Sequence, residues 1–313
     1  MSPRIVTVTV NPALDLATTV AKLEPEEKLR AHGSRVDPGG GGVNVSRVVH
    51  RLGGDTLAIV ALGGASGRAY RELIRDEGVP IEVVEIEGPT RQNFAVREEA
   101  SGHQYRVVLE GPTLSPDEWQ AVLARVRTTT KEDDWLVVSG SMPPGAPDDA
   151  VAQLVDVAHL VMAHPVVDSS RAELAAALPA SPELVKPSRR ELEELVGRQL
   201  PDDDSLTRAA RAIIAEHGVG VVAVTLGADG ALLVTAGEVE RQPAVAVEAV
   251  STIGAGDSFL AGLVLRLAQG RPLAEALRTA LAAGAATAAA EGTELADREE
   301  VARFEQLQFD SDR

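Results

Sequence analysis

Short runs of Val, Ile, Leu and Ala alternate along most of the chain with longer stretches in which apolar residues recur at helical spacing. The runs at 5–10, 56–62, 135–139 and 221–226 are continuously apolar, which is typical of strands buried on both faces. Segments such as 43–52, 69–77 and 151–163 carry the helical pattern. Strands separated by helices predict an α/β fold with a mainly parallel central sheet between two helical layers.

Two stretches depart from this alternation. Residues 16–36 and 91–109 interleave apolar residues with charged ones, among them Lys28, Arg30 and Arg106. Such interleaving is typical of strands with one solvated face, and it predicts a small second sheet that serves as a lid. Because the sequence shows no repeat and no long linker, we expect residues 1–313 to form one domain into which these two lid segments are inserted.

Composition restricts the classes of partner. The 313 residues include no Cys, which excludes disulfides and thiolate metal sites and is typical of an intracellular, cytoplasmic protein. No apolar run reaches transmembrane length. The net charge of −17 argues against nucleic acid or an anionic membrane as a partner. An acidic surface also repels phosphorylated metabolites, so a phosphate site on this protein requires local cations.

The strongest chemical signal is the run Gly-Ala-Gly-Asp at 254–257, which leads into the apolar segment 260–268. Small residues at a helix start leave backbone N–H groups free to bind an anion. Asp257 would repel a phosphate held there, unless it takes a proton from a hydroxyl that attacks the bound phosphoryl group. The alternative is a glycine-rich turn followed by an ordinary acidic residue in the first helical turn.

A second glycine-rich turn precedes a helix at 38–46 and contains Gly40, Gly41 and Asn44. A dinucleotide-binding turn would need a third glycine at Asn44 and an acidic residue about 20 positions later, so that interpretation is weak. No P-loop motif is present. Four consecutive glycines instead indicate close approach to a polyol, with Asn44 able to donate to and accept from its hydroxyls.

Other candidates follow predicted strands. Asp15 comes after Asn-Pro at the carboxyl end of the first strand, where open α/β sheets bind their ligands, although a turn-forming role is as consistent with the spacing. The segments 139–145, with Ser141, and 186–192, with Lys186, also follow strands, and ordinary loops explain both equally well. The six His residues show no zinc-type spacing, and the Gly-x-Ser-x-Gly motif of nucleophile-elbow hydrolases is absent.

Taken together, these motifs resemble those of the PfkB (ribokinase-like) family of carbohydrate kinases, over about residues 4–309. Residues 39–44 are similar to the first family signature and residues 252–258 to the second. Within the family, the segments 90–93, 104–106, 139–145 and 167–170 look most like the branch that contains the minor bacterial 6-phosphofructokinase isozyme.

The resemblance implies a ribokinase-like three-layer sandwich with a small β-sheet lid, through which members often form homodimers. It implies ATP and Mg²⁺ as cofactors and leaves open a monovalent cation such as K⁺. The implied catalytic residues are Asp257 as base and Gly254, Ala255 and Gly256 as an anion hole. The implied sugar-binding residues are Asp15, Gly40, Gly41 and Asn44, with Ser141 nearby and Asn93 in a segment that resembles the phosphosugar branch. Lys28, Arg91 and Arg106 are further substrate-binding candidates because of their charge. The implied nucleotide-binding residues are Lys186, Ser188, Thr225, Gly227, Gly230 and Gly284, with Glu191 as the metal residue.

One position departs from the family pattern. The family motif N-x-x-E is Ser188-Arg189-Arg190-Glu191 here. The acid is kept, whereas a smaller hydroxyl replaces the Asn amide, which leaves the details of phosphate and Mg²⁺ coordination open.

The lid cations Lys28, Arg30, Arg91 and Arg106 favour a substrate that already carries phosphate, because Arg can bind phosphate through two hydrogen bonds. The sequence and the resemblance together predict ATP-dependent phosphorylation of fructose 6-phosphate to fructose 1,6-bisphosphate. Tagatose 6-phosphate and fructose 1-phosphate are alternative substrates, and a nucleoside or ribose kinase agrees less well with the lid cations. A catalytically silent nucleotide- or sugar-binding regulator is the alternative from another class.

Overall fold

The computed structural model of the protein describes residues 3–169, 171–290 and 292–311. Ser170, part of a motif used above, lies outside the described residues. In chain order the strands are β1 (Ile5–Thr9), β2 (Ala13–Val20), β3 (Ala31–Gly39), β4 (Thr56–Leu62), β5 (Ile81–Glu85), β6 (Arg91–Glu98), β7 (Gln104–Val107), β8 (Trp135–Ser139), β9 (His164–Asp168), β10 (Leu184–Val185), β11 (Val221–Thr225), β12 (Ala231–Val234) and β13 (Val239–Gln242). The helices are α1 (Gly41–Arg51), α2 (Gly64–Asp76), α3 (Pro116–Thr129), α4 (Ala150–Leu160), α5 (Arg171–Ala177), α6 (Arg189–Val196), α7 (Asp203–His217), α8 (Ala255–Ala268), α9 (Leu273–Ala289) and α10 (Arg298–Ser311).

Across the described residues, nine strands form the main sheet in the order β13-β12-β11-β10-β9-β8-β1-β4-β5. The strands from β11 to β5 run parallel, and β12 and β13 are antiparallel to their neighbours. Successive residues of β1 enter opposite cores, since Ile5 packs on one face and Val6 on the other. This two-sided burial confirms the predicted α/β fold and explains the continuous apolar runs.

Helices cover both faces of this sheet. Helices α3 to α7 contribute Trp119, Leu154 and Leu206 to one core, whereas α1, α8, α9 and α10 contribute to the other, with Leu263 and Leu281 among their buried residues. The result is the three-layer sandwich that the resemblance implied. Within the described segments, none of the helices combines the length and the apolar character needed to cross a membrane.

The predicted second sheet is present and has the order β3-β2-β6-β7 among the described strands. Its first segment is longer than the predicted 16–36. Strand β2 begins at Ala13, directly after Asn11-Pro12, and β3 continues to Gly39. Its second segment ends at Val107, two residues before the predicted limit. The lid strands therefore lead directly out of β1 and directly into α1, which places their inner ends beside the carboxyl edge of the main sheet.

Candidate active site

Asp257 lies in the first turn of α8, where the helix follows a glycine-rich turn. Gly254, which precedes the helix, has a φ of 76°, and a Cβ there would overlap the Leu295 side chain. Both facts require glycine at this position. The first N–H groups of α8 have no partner within the helix, so the turn is suited to bind an anion.

The Asp257 carboxylate contacts a residue that is 213 positions away in sequence. Nδ2 of Asn44, on α1, donates to Oδ2 of Asp257 at 2.8 Å. Burial and the nearby Asp168 charge raise the pKa of Asp257 to about 7, although the Asn44 hydrogen bond and Lys186 oppose the shift. A carboxylate with a pKa near neutrality can accept a proton from a substrate hydroxyl and later release it.

Lys186 lies beside the same turn. Its Nζ is 2.9 Å from Oδ1 of Asp168, and the lysine side chain is 8% exposed. A Cβ at Gly256 would lie 3.7 Å from this Nζ, so the ammonium group adjoins the start of α8. Burial disfavours the charged lysine, but the Asp168 carboxylate outweighs that effect and raises the pKa of Lys186. A permanent positive charge therefore adjoins the anion-binding turn.

A narrow polar crevice lies under the lid. Asp15 and Asn93 are register partners on β2 and β6, and Nδ2 of Asn93 donates to Oδ1 of Asp15 at 2.8 Å. The crevice is also lined by Arg106 and, from the C-terminal part of the chain, by Ile253 and Thr293. Burial raises the pKa of Asp15, with Asn93 and the lid arginines opposing it. Paired carboxylate and amide groups of this kind can hold neighbouring sugar hydroxyls.

Two of the four lid cations lie near this crevice. Arg91 donates to the carbonyl oxygens of Leu109 at 2.6 Å and Asn11 at 2.9 Å, and its Nη2 is 3.5 Å from Oγ of Ser141. Arg106 lines the crevice. Lys28 and Arg30, by contrast, are exposed on the loop between β2 and β3. The structure therefore places Arg91 beside Ser141 and Arg106 in the crevice, with both arginine charges acting on Asp15. It leaves Lys28 outside the crevice of its own chain.

The glycines before α1 satisfy packing requirements of their own. Gly40 has a φ of 130°, and a Cβ at Gly41 would overlap Oγ of Ser139. The chain at this point lies against β1 and β8, and Oγ1 of Thr9 accepts a hydrogen bond from the Val43 N–H at 2.9 Å. Close backbone packing is thus sufficient to explain these glycines.

A cavity of about 530 Å³ extends from the anion-binding turn in the other direction. Its walls are mainly small and apolar residues of the loops around β11–β13 and of α8 and α9. The candidates in its lining are Thr225, Gly227, Gly230, Ala255, Gly256 and Gly284, and Val247, Phe259 and Leu281 supply larger apolar surface. This volume and lining suit a flat, partly apolar ligand. A wider groove of about 830 Å³ lies between the end of α9 and the start of α10, but the candidate residues do not line it.

Ser188 and Glu191 form the N-terminal cap of α6. Oγ of Ser188 accepts from the Glu191 N–H, and Oε2 of Glu191 accepts from the Ser188 N–H at 2.7 Å and from Oγ at 2.8 Å. The Glu191 charge also acts on Asp168 and Lys186, so all three groups are neighbours. In the part of the chain that the structure describes, no three His, Cys, Asp or Glu side chains cluster closely enough to hold a metal by themselves.

Sequence reasoning left Asp168 out of the candidate site, although the signal was present. Asp168 ends the apolar strand β9, in the same relation to its strand that identified other strand-end candidates. Its contacts with Lys186 and Ser139 could not be foreseen from spacing, because the three residues lie on different strands or loops.

Comparisons with known proteins agree with this architecture. The family model described as pfkB family carbohydrate kinase matches residues 8–299. The chain is 39% identical to ATP-dependent 6-phosphofructokinase isozyme 2 of Mycobacterium tuberculosis, covering 97% of this chain and 90% of the relative. It is 40% identical to the protein of that name from Escherichia coli, covering 96% and 97%.

A solved structure extends the likeness from sequence to fold. The crystal structure of phosphofructokinase-2 from Escherichia coli in complex with substrates and products superposes with a TM-score of 0.93 at 39% identity, covering 98% of this chain and 99% of that one. The family match, the full-length relatives and the fold agree with one another, and the chain belongs to the pfkB family of carbohydrate kinases.

Proposed function

We propose that this protein transfers the γ-phosphoryl group of ATP to the 1-hydroxyl of fructose 6-phosphate, giving fructose 1,6-bisphosphate and ADP. The observation that carries the proposal is the position of Asp257. The residues just before it line two different regions: Ile253 lines the polar crevice, and Ala255 and Gly256 line the apolar cavity. A base between an acceptor site and a donor site is the arrangement that phosphoryl transfer requires.

The sugar side of the site supplies hydroxyl and phosphate recognition. Asp15, Asn93 and Asn44 offer acceptors and donors to the hydroxyls of the sugar, with the backbone at Gly40 and Gly41 close by. Arg91 and Arg106 would bind the 6-phosphate, and Ser141 adjoins Arg91. Two arginines in a protein of net charge −17 provide the local positive charge that a phosphorylated substrate needs.

At the reacting centre, Asp257 would accept the proton of the 1-hydroxyl as that oxygen attacks the γ-phosphorus. Its pKa near 7 matches this role at neutral pH. The N–H groups at Gly254, Ala255 and Gly256, together with the Lys186 ammonium group, would stabilise negative charge on the phosphoryl oxygens. The lid would exclude water, which otherwise competes with the sugar for the phosphoryl group.

The nucleotide and its metal ion fit the opposite side. The cavity of about 530 Å³ has the size and apolar lining that a nucleotide base needs, and Thr225, Gly227, Gly230 and Gly284 let backbone approach it closely. Mg²⁺ bound to the phosphates of ATP supplies charge that offsets the negative charge of the transferred group. Glu191 and Asp168 are the carboxylates that would hold it. This fits Mg²⁺, which commonly uses one or two carboxylates plus phosphates and water.

The comparisons support fructose 6-phosphate as the substrate, and two other sugar phosphates remain candidates. The relatives named 6-phosphofructokinase are 39–40% identical, whereas 1-phosphofructokinase of Escherichia coli is 33% identical over 96% of the chain. Fructose 1-phosphate is therefore the second candidate substrate, and tagatose 6-phosphate is a third because the same motifs serve it.

We also propose that the whole chain acts as one kinase domain and forms a homodimer through the lid. The lid exposes Phe94, Tyr105 and Val107 at 41%, 46% and 55%, and these apolar side chains would be covered by a second copy. One structure of the Escherichia coli phosphofructokinase-2 is a tetrameric inhibited form, so light scattering must distinguish a dimer from a tetramer, and a monomer would contradict the proposal.

A coupled ADP-release assay with Mg-ATP tests the proposed reaction. The panel would contain fructose 6-phosphate, tagatose 6-phosphate, fructose 1-phosphate, fructose and ribose, compared by kcat/KM. It would be run with and without K⁺, because another Escherichia coli phosphofructokinase-2 structure is in complex with potassium. The Asp257→Asn protein, purified in parallel, controls for contaminating kinases.

Preference for fructose 6-phosphate supports the proposal. Preference for a neutral sugar would contradict the proposed role of the lid arginines but would still support kinase activity. No turnover by folded protein that binds ATP would instead favour a catalytically silent regulator.

A further inference from the structure

Arg47 is a buried cation that the proposed chemistry does not use. It lies on α1, three residues after Asn44, so the two side chains share one face of the helix. The Arg47 side chain is only 2% exposed. Charged side chains are almost never buried so completely unless their partners are fixed, so its contacts indicate what it does.

One side of the guanidinium group is held by a carboxylate. Nε of Arg47 donates to Oε2 of Glu77 at 2.8 Å, and Nη2 donates to Oε1 at 2.6 Å. Burial disfavours the Glu77 anion, but the hydrogen bonds and charges of Arg47 and, to a smaller extent, Arg51 outweigh that effect and lower the pKa of Glu77. Because the guanidinium group is planar, this two-point contact fixes the direction of the remaining nitrogen, Nη1.

Nη1 points toward the candidate site. It donates to the carbonyl oxygen of Pro38 at 3.1 Å and to Oδ1 of Asn44 at 3.3 Å. An arginine can only donate, so the atom of the Asn44 amide that faces it must be the oxygen. The NH₂ group of Asn44 then faces Asp257 and donates to its carboxylate at 2.8 Å. The opposite orientation would place two acceptors, Oδ1 and Oδ2, against each other.

We propose that Arg47 is a positioning residue for the catalytic base: by holding Oδ1 of Asn44, it fixes the amide so that Nδ2 donates to the Asp257 carboxylate. The inference rests on the proposed function, because it takes Asp257 as the base. Glu77 holds Arg47, Arg47 orients Asn44, and Asn44 aligns and stabilises the ionised carboxylate before the sugar binds. None of these steps requires Arg47 to touch the substrate.

Other charges face Asp257 and must stay constant in a test. Asp168 and Asp15 raise the pKa of Asp257, and Lys186 lowers it. They lie on β9, on β2 and after β10, and none of them is a hydrogen-bond partner of Arg47. A substitution at Arg47 therefore changes the Asn44 hydrogen bond while leaving these charged groups in place.

The first experiment compares the pH dependence of kcat for Arg47→Met and the wild-type protein. We expect the acidic limb to move up by about half a pH unit or more, because the ionised base loses a fixed donor. We expect kcat at neutral pH to fall roughly 10- to 100-fold, the usual range for loss of a supporting contact, while KM for ATP stays near its wild-type value. If folded Arg47→Met has the same acidic limb and the same kcat as the wild-type protein, the proposal is overturned.

Two further variants separate positioning from charge. Arg47→Lys keeps the positive charge but has only a single-point donor, so we expect the same displacement of the acidic limb. A wild-type profile would show that charge alone matters and would overturn the proposal. Arg51→Met is the matched control. Arg51 also contacts Glu77, at 3.3 Å, but not Asn44, so its pH profile should equal that of the wild type.

Two additional measurements distinguish a folding defect in Arg47→Met from an effect on the catalytic base. If Arg47→Met does not fold, the double variant Arg47→Met/Glu77→Met removes the unpaired carboxylate, which is often tolerated in a buried site, and the same profile is expected. Carbon-13 NMR of the substrate-free protein, with the Asp257 carboxyl assigned through Asp257→Asn, follows the titration without turnover. An upward shift of that titration in Arg47→Met supports the inference even if the proposed substrate is wrong, and no shift overturns it.

Discussion

The crevice under the lid and the cavity beside α8 differ in the kind of surface that they offer to a ligand. The crevice consists of charged and amide side chains, with Asp15 paired to Asn93 and Arg106 beside them. The cavity consists largely of backbone and small apolar residues, with Gly230 and Gly284 in its wall. In the crevice, a substitution can remove one polar group at a time. In the cavity, a wall of glycine and alanine can be changed only by introducing a larger side chain that fills the space. Substitutions should therefore affect one ligand or the other, except at the point where the two regions meet.

Asp257 is that meeting point, and its substitution should have the largest effect. In Asp257→Asn, an amide cannot accept the hydroxyl proton, so we expect kcat to fall by about a thousandfold or more, with modest changes in KM for both ligands. Steady-state kinetics measure this directly. A variant with near-wild-type kcat would remove Asp257 from the role of base.

Arg91→Ala should separate the two regions most clearly. Loss of a charged hydrogen-bond donor should raise KM for fructose 6-phosphate by roughly 10- to 100-fold, with little change in KM for ATP. Arg97→Ala is the matched control, because Arg97 is an exposed arginine on the same strand, β6, and does not line the crevice. Equal effects of Arg91→Ala on both KM values would place Arg91 outside the sugar site.

Ala288→Leu tests whether the cavity beside α8 binds the nucleotide. Ala288 lines the cavity, and the added methyl groups would occupy volume needed by the nucleotide. We expect KM for ATP to rise about tenfold, with the sugar KM nearly unchanged. Ala289→Leu, on the same helix but facing the separate groove near α10, should leave both values near wild type. A sugar-specific effect of Ala288→Leu would contradict the assignment of the cavity.

The smallest predicted effect is on the free energy of unfolding, and it comes from the raised pKa of Asp257. The pKa of Asp257 is raised to about 7 in the folded protein from the usual 3.8, so the folded state retains a proton that the unfolded chain has lost. The stabilisation this provides is complete below pH 4 and is lost as the pH rises toward 7.

Asp257→Asn removes that dependence. Its stability advantage over the wild type should therefore grow between about pH 4 and pH 7 and stay constant above that range. At pH 8 we expect the free energy of unfolding of Asp257→Asn to exceed that of the wild type by roughly 2 kcal/mol. This is less than the full shift in pKa would give, because Asp257 is only partly buried and solvent screens its charge. Urea unfolding at several pH values measures the difference. An advantage that does not change with pH would contradict the raised pKa.

Local patterns predicted the fold and part of the candidate site. Apolar runs predicted the strands of the main sheet, interleaved charges predicted the lid, and the helix start predicted the position of Asp257. The placement of Asp15 at the carboxyl end of the first strand was wrong, because β1 ends at Thr9 and Asp15 is the third residue of the lid strand β2. Contacts between distant segments were not predictable in the same way. The pairing of Lys186 with Asp168, the contact of Asn44 with Asp257 and the exposure of Lys28 depend on how separate elements pack, which no local window contains.

Thr293, which lines the crevice, also donates to Asp37 of the lid across 256 positions of sequence, and Asn44 meets Asp257 across 213. These separations order events during protein synthesis. When the lid strands and the start of α1 emerge from the ribosome, the codons for Asp257 and Thr293 have not been translated. An incomplete chain therefore has the lid residues of the crevice, such as Asp15 and Asn93, but lacks Ile253, Asp257 and Thr293. Contacts between such distant segments also close slowly during folding, so the complete site forms only after the chain has been synthesised beyond Thr293.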